Sequence, residues 1–229
     1  HQTVHRTARQ VSIYYQDDLV TLYHGDCLEL TDWVNADVLV TDPPYGIAYK
    51  SGGMSNATIA IQDKVANDDT LIVRDAALDL WGSDKPGLVF GSWRMDRPKN
   101  TRHRLIWYKQ NALPGMRATP WFNADEEIYV LGSGFVGKPE QNVLVTTSRQ
   151  DGAYGEVAKI GHPTPKPIGL MERLIDKTPQ GIIADPFAGS GATLLAARNK
   201  GRQAIGVELE EKYCEIIANR LQQHTLFTD

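Results

Sequence analysis

The apolar run Val38-Leu39-Val40-Thr41 ends abruptly in Asp42-Pro43-Pro44-Tyr45. Proline cannot donate to a strand ladder and fixes its own φ, so the strand stops there and the turn that follows is rigid. A carboxylate, carbonyl groups with no neighbouring N–H partner and an aromatic plate are thereby held together at one strand end. Such a set suits a flat polar substrate, the acid and a carbonyl accepting its hydrogens while the ring stacks on its face. A plain Asp-Pro turn is the alternative reading.

A second strand end carries different chemistry. Ile182-Ile183-Ala184 runs into Asp185-Pro186-Phe187-Ala188-Gly189-Ser190-Gly191, and a helix is expected from Ala192 to Asn199, with Gly201 as its stop. Glycines let a backbone approach a ligand closely, and a helix start offers unpaired N–H groups. The next apolar run, Ala204–Val207, ends at Glu208, 17 residues beyond Gly191, where a carboxylate can accept both hydroxyls of a ribose. Asp185, Ser190 and Thr193 belong to the same loop and helix start, so the segment is expected to hold a nucleoside-containing cofactor. The loop lacks the lysine of a phosphate loop, which disfavours ATP hydrolysis.

For both turns to serve one reaction, their strands must be neighbours, although 143 residues separate Asp42 from Asp185. Strands are expected at Val20–Tyr23, Val38–Thr41, Gly87–Phe90, Arg104–Tyr108, Glu127–Leu131, Ile182–Ala184 and Ala204–Val207, as short apolar runs rich in branched residues. Helical spacing appears at Leu71–Trp81 (capped by Asp68 or Asp69, closed by Gly82), at Ile168–Ile175 and in the segment carrying Tyr213, Ile216, Ile217 and Leu221. Alternation of this kind predicts an α/β fold: a doubly wound, mostly parallel sheet with helices on both faces. Ligands of such sheets bind outside the carboxyl ends of the strands. The Gly46–Asn67 and Gly132–Gly161 stretches read as irregular.

The composition fits one such domain. The 229 residues carry 24 Lys and Arg against 28 Asp and Glu, with 41% hydrophobic residues, enough for one sizeable core. No stretch approaches the length of a membrane helix, so no membrane partner is expected. Cys27 and Cys214 form no C-x-x-C, and the polar stretch His1 to Gln10 lacks the apolar core of a signal peptide. A reducing cytoplasm is the expected compartment. No His/Cys cluster with ligand spacing suggests a metal. The acidic total hides a basic segment from Arg94 to Arg117, in which seven Lys and Arg face one acid, Asp96. Interleaved with Trp107 and Tyr108 and flanked by Trp93 and Trp121, these residues suit a phosphate backbone and an unstacked base. A solvated loop is the other reading of that stretch.

At these residues the chain resembles the S-adenosylmethionine-dependent DNA amino-methyltransferases of the Asp-Pro-Pro-Tyr type, which modify adenine N6 or cytosine N4. Asp42–Tyr45 preceding Asp185–Gly191 is similar to the circularly permuted β-type order of that group. His162-Pro163-Thr164-Pro165-Lys166-Pro167 resembles the segment before the cofactor loop, with Pro165 where Gln is more usual. His24-Gly25-Asp26-Cys27-Leu28 resembles a run whose acid contacts the cofactor adenine. The resemblance implies a Rossmann-like methyltransferase fold over a single domain, 1–229. Its catalytic half is about 20–131, an irregular recognition segment about 132–161 and the cofactor half about 162–223.

It also implies roles. Asp42 and the Pro43 carbonyl, braced by Pro44, would accept hydrogens from the target amine, and Tyr45 would stack on the base. Asp26 and Cys27 would meet the cofactor adenine, Glu208 its ribose, and Phe187, Gly189 and Gly191, with Asp185, Ser190 and Thr193, would line its pocket. Thr164 and Lys166 would approach its methionyl carboxylate. Arg94, Arg97, Lys99, Arg102 and Arg104 would contact DNA. The implied reaction is methylation of N6 of a flipped-out adenine in double-stranded DNA, as in restriction–modification, because members with Asp heading the run mostly modify adenine. Alternatives are N4-cytosine methylation and a non-catalytic DNA-binding subunit. A homodimer or a partner subunit is compatible with the short recognition segment.

Overall fold

The computed structural model describes residues 13–44, 71–110, 120–146 and 165–225. The strands are β1 (Ile13–Gln16), β2 (Val20–His24), β3 (Val38–Thr41), β4 (Gly87–Gly91), β5 (His103–Lys109), β6 (Asp125–Leu131), β7 (Val143–Thr146), β8 (Ile183–Asp185) and β9 (Ala204–Glu208). The helices are α1 (Ile72–Trp81), α2 (Ile168–Ile175), α3 (Ala192–Asn199) and α4 (Glu211–Thr225). A 3-10 turn covers Asp32–Asn35.

Every residue of β3, β4 and β8 is buried, as their unbroken apolar runs require of strands covered on both faces. Among the described residues one sheet has the order β1-β2-β9-β8-β3-β4-β6-β5-β7. The strands β2, β9, β8, β3 and β4 are parallel. Strand β6 is inserted antiparallel between β4 and β5, while β7 pairs parallel with β5. Strand β1 pairs antiparallel with β2.

The pleat sends alternate side chains to two cores. Val38, Val40, Leu88 and Phe90 pack with Leu170, Met171 and Leu174 of α2, Leu194 and Leu195 of α3, and Ile217 and Leu221 of α4. Leu39 and Val89 face the other way, toward Trp33, Ala77 and Trp81. The two indoles stack with ring centroids 6.1 Å apart. The sheet is therefore doubly wound, as expected, with three helices on one face and α1 with the 3-10 turn on the other.

All seven expected strands and all four expected helices are present. Two short strands come in addition, and one of them, β7, lies inside the Gly132–Gly161 stretch expected to be irregular. The cap of α1 is Leu71 with no side-chain hydrogen bond, and Asp68 and Asp69 lie outside the described residues. So does the Gly46–Asn67 stretch.

Candidate active site

Strands β3 and β8 are hydrogen-bonded neighbours, with Val38 opposite Ile183 and Leu39 opposite Ala184. The chain leaves β3 toward β4 on one side and β8 toward β9 on the other, so the β3/β8 boundary is the switch point of the sheet. At the carboxyl ends of these strands the Thr41 hydroxyl donates to Asp185 Oδ1 at 2.7 Å. The two Asp-Pro turns thus sit side by side, across the 143 residues that separate them.

They open on one cavity of about 380 Å³, a volume typical of small-molecule sites. One side is formed by Asp42, Pro43 and Pro44, together with Trp93, Lys109 and Glu126. The other is formed by Gly25, Asp26, Cys27, Phe187, Gly189 and Glu208. Register explains the second group. His24 lies opposite Glu208 across the β2/β9 pair, and the Gly25 N–H donates to the Glu208 carbonyl at 2.9 Å.

Glu208 accepts the N–H groups of Gly189 at 2.7 Å and Glu210 at 2.8 Å, so it clamps the glycine loop against the strand end. Burial nonetheless pushes its carboxyl up to about 7. Asp185 is turned further inward. It is 2% exposed, and burial raises its carboxyl to about 6 against the hydrogen bonds from Thr193, Thr41 and the Phe187 N–H. Asp185 and Thr193 therefore build the wall of the cavity by bonding one another. Asp26 accepts the Leu28 N–H at 2.9 Å, which fixes the turn after β2. The Cys27 thiol is buried and pushed up to about 12.

Gly191 departs from its expected place. It is not among the cavity-lining residues; it caps α3 at φ 81°, and a β-carbon on it would meet Ile217. Ser190 lines the cavity, and its carbonyl accepts from Arg220 at 2.6 Å. Tyr45 and Thr164 lie outside the described residues.

Lys166 donates to Asp42 Oδ2 at 2.5 Å and pairs with Glu126 Oε2 at 3.2 Å, and Glu126 is paired in turn with Lys109. Ammonium and carboxylate groups thus alternate through the target side of the cavity. Sequence reasoning missed Glu126 and Lys109. The available signal was the acidic triplet Asp125-Glu126-Glu127 at the entry to a buried strand, where a carboxylate needs a partner.

The basic segment divides in two. Arg94, Arg97, Lys99 and Arg102 are exposed, and Arg94 lies 5.5 Å from the centroid of the Trp93 ring. Arg104 instead holds the buried Glu127 at 2.8 Å, although expected with the others on DNA. Trp93 and Trp121 are 62% and 78% exposed, so each offers an aromatic plate that can meet a base.

A mostly parallel, doubly wound sheet with a two-sided cavity at its switch point is the architecture of a Rossmann-like methyltransferase. Solved structures of similar shape agree on the fold. The M1.HpyAVI–SAM complex has a TM-score of 0.62 at 23% identity, covering 89% of this chain and 99% of that one. The cytosine-N4-specific PvuII DNA methyltransferase has a TM-score of 0.66 at 18% identity, covering 95% and 89%. The DNA methylase family model for N6 and N4 enzymes matches residues 36–219. Type II methyltransferase M2.DpnII of Streptococcus pneumoniae is 46% identical over 248 residues, 91% of this chain and 92% of the relative. Putative methylase YubD of Escherichia coli (strain K12) is 50% identical over 208 residues, 82% and 84% of the two chains. The chain belongs to the N6/N4 family of DNA methylases, and is an S-adenosylmethionine-dependent DNA methyltransferase.

The cavity fits that cofactor by its donor set. Carboxylates from two adjacent strand ends, Asp26 and Glu208, meet on the glycine-loop side. An acidic wall also suits a ligand that carries a sulfonium and an ammonium group. Among the described residues no cluster of His, Cys, Asp and Glu could hold a metal ion, and no helix is long and apolar enough to cross a membrane.

Proposed function

We propose that the chain methylates N6 of adenine in double-stranded DNA, with the base turned out of the helix into the Asp42 side of the cavity. The observation that carries this reading is the shared cavity of the Asp42-Pro43-Pro44 turn and the Phe187–Gly189 loop with Glu208. The acid at the head of the turn, where cytosine-directed relatives more often have serine, favours adenine. S-adenosylmethionine, when bound, supplies an electrophilic methyl group.

The residues of the chain do the rest. An exocyclic amine is a poor nucleophile because its lone pair is delocalised into the ring. Asp42 and the Pro43 carbonyl accept its two hydrogens, which draws the nitrogen toward tetrahedral geometry and frees the pair. The rigid prolines hold both acceptors in place before the substrate arrives. Once methylated, the nitrogen is far more acidic than a carboxylic acid and gives up its proton to Asp42 or to water. Extrusion of the base costs a few kcal/mol, and stacking on Tyr45, worth about 1–3 kcal/mol, offsets part of it. Glu208 takes the cofactor ribose, Asp26 and Cys27 its adenine, and Phe187, Gly189 and Ser190 line its methionine and adenosine parts. Thr164 is assigned to the methionyl carboxylate, and the cytoplasm is the compartment in which such an enzyme meets DNA.

The test is to treat duplex DNA with the purified chain and labelled cofactor, digest it, and identify the methylated nucleoside by mass. N6-methyl-2′-deoxyadenosine, lost in Asp42→Ala with cofactor binding retained, is the expected result. N4-methyl-2′-deoxycytidine alone overturns the adenine assignment, and cofactor binding without any methylation leaves a DNA-binding subunit.

A further inference from the structure

The family resemblance puts Lys166 near the methionyl carboxylate, yet the fold engages it on the target side. Its ammonium donates to Asp42 Oδ2 at 2.5 Å and lies 3.2 Å from Glu126 Oε2. It also sits 5.0 Å from the centroid of the Phe90 ring at the end of β4. The side chain is 7% exposed, whereas Asp42 is 26% exposed. Behind Glu126 comes Lys109, paired with it and 4.7 Å from the centroid of the Trp107 ring. The chain of charges therefore crosses four separate pieces of the fold: the β3 turn, the lead into α2, the start of β6 and the end of β5. Burial opposes the charge on Lys166, but Asp42 and Glu126 outweigh it and hold the ammonium above the ordinary lysine value. For Glu126, Lys166 and Lys109 outweigh burial and hold the carboxyl below its usual range. Two ammonium groups thus balance two carboxylates.

We propose that Lys166 is a positioning residue of the target side: backed by Glu126 and Lys109, its ammonium fixes the Asp42 carboxylate against which the substrate amine is held, and it does not grip the cofactor. The inference rests on the amino-methyltransferase reading of the site. A buried ion pair by itself is weak evidence for stability; here its effect is geometric. A carboxylate on a turn has a free χ1, and one oxygen anchored to a buried ammonium removes that freedom. The same contact keeps Asp42 an acceptor. Among the described residues the charged groups around it are Lys166 from the lead into α2, Glu126 from β6 behind that lysine, Lys109 from β5 behind Glu126, and Asp185 from β8, whose charge and that of Asp42 repel.

The sign of the pH effect follows. Without Lys166, Asp42 loses its nearest counter-charge and keeps Asp185 and Glu126, so its proton is held more tightly and the acid limb of the rate moves to higher pH. Without the Glu126 charge, Lys166 still faces Asp42, so the limb stays or moves lower while the loosened anchor slows transfer. The experiment measures single-turnover methyl transfer to duplex DNA from about pH 5 to 9, with the cofactor dissociation constant measured in parallel by calorimetry. Lys166→Met is expected to lose at least about 100-fold in rate at pH 7, as misplacement of a reacting group does. Its acid limb should rise, and its cofactor affinity should change less than about threefold. Lys166→Arg should restore part of the rate and the position of the limb. Glu126→Gln should lose rate without an upward shift.

A tenfold loss of cofactor affinity with the saturated rate retained would overturn the proposal and return Lys166 to the methionyl carboxylate. Unchanged rate and limb would make the charge chain merely structural. If Lys166→Met does not bind cofactor because it does not fold, the other two variants decide: wild-type rates in both overturn the proposal, and slower rates without an upward limb support it. An inactive wild-type chain would overturn the proposed function instead, so the two failures are separable.

Discussion

Glu208 shows how one carboxylate serves two purposes that pull against each other. It ends β9, clamps the loop by accepting the Gly189 and Glu210 N–H groups, and faces the cavity. Burial raises its carboxyl to about 7 from an ordinary 4.5. The folded chain therefore holds this proton between those two pH values while the unfolded chain has released it, so this group's contribution to stability falls as pH rises through that window and is level above it. The full effect is on the order of 3 kcal/mol. A cofactor ribose, donating two hydroxyls, prefers the ionised form. Cofactor binding should then release a proton and tighten as pH rises toward 7, by up to about tenfold per pH unit. Calorimetry in buffers of different ionisation enthalpy reads both quantities. In Glu208→Gln the proton release should vanish, and the variant should gain stability relative to the wild type between about pH 5 and 8. Affinity that is flat or falls toward neutral pH in the wild type would remove Glu208 from the cofactor side.

At the scale of elements, the tightest constraint on the loop comes from behind it. Gly191 caps α3 at φ 81°, and a β-carbon there would lie 2.9 Å from Ile217 Cγ1 of α4. Gly191→Ala combines a left-handed cost of about 1–2 kcal/mol with overpacking of about 1–3 kcal/mol. Denaturant unfolding should show a loss of about 2–5 kcal/mol, and the displaced Gly189–Ser190 loop should weaken cofactor binding. A variant as stable as the wild type would contradict the observed fit of α3 against α4. The same elements show what was readable beforehand. The strand–loop–helix–strand unit from Ile183 to Glu208 was legible because each boundary carries its own local signal: an Asp-Pro stop, two glycines and a terminal acid. Strands β1 and β7 were not, because short edge strands with part-exposed residues owe their existence to the neighbour they pair with. Glu126 and Lys109 were missed for a related reason: the antiparallel insertion of β6 brings them to the cavity, and insertion order leaves no trace in local pattern. The partnership of Lys166 with Asp42 spans 124 residues and needs the finished sheet.

Across the whole molecule, charge is sorted by location more than by amount. The chain is net −4, a poor overall balance for approaching a polyanion. Asp26, Asp42, Asp185 and Glu208 line the cavity, while Arg94, Arg97, Lys99 and Arg102 stand exposed after β4. Strand β4 runs parallel to β3, so these bases follow it at the same edge as the Asp42 turn. A phosphate backbone laid on them would bring its bases over the cavity, beside the exposed Trp93. Arg104 and Lys109 differ from them in that each is paired with a carboxylate. Replacing Arg97, Lys99 and Arg102 together by Gln should therefore weaken DNA binding to an equal degree for all sequences. Each phosphate that is no longer neutralised should reduce the slope of log affinity against log salt by about 0.9, so the slope should flatten by about 2 to 3. Cofactor affinity should stay as it was, because no group of the glycine-loop side is altered. An unchanged slope would make that stretch solvated surface and leave DNA binding to other residues.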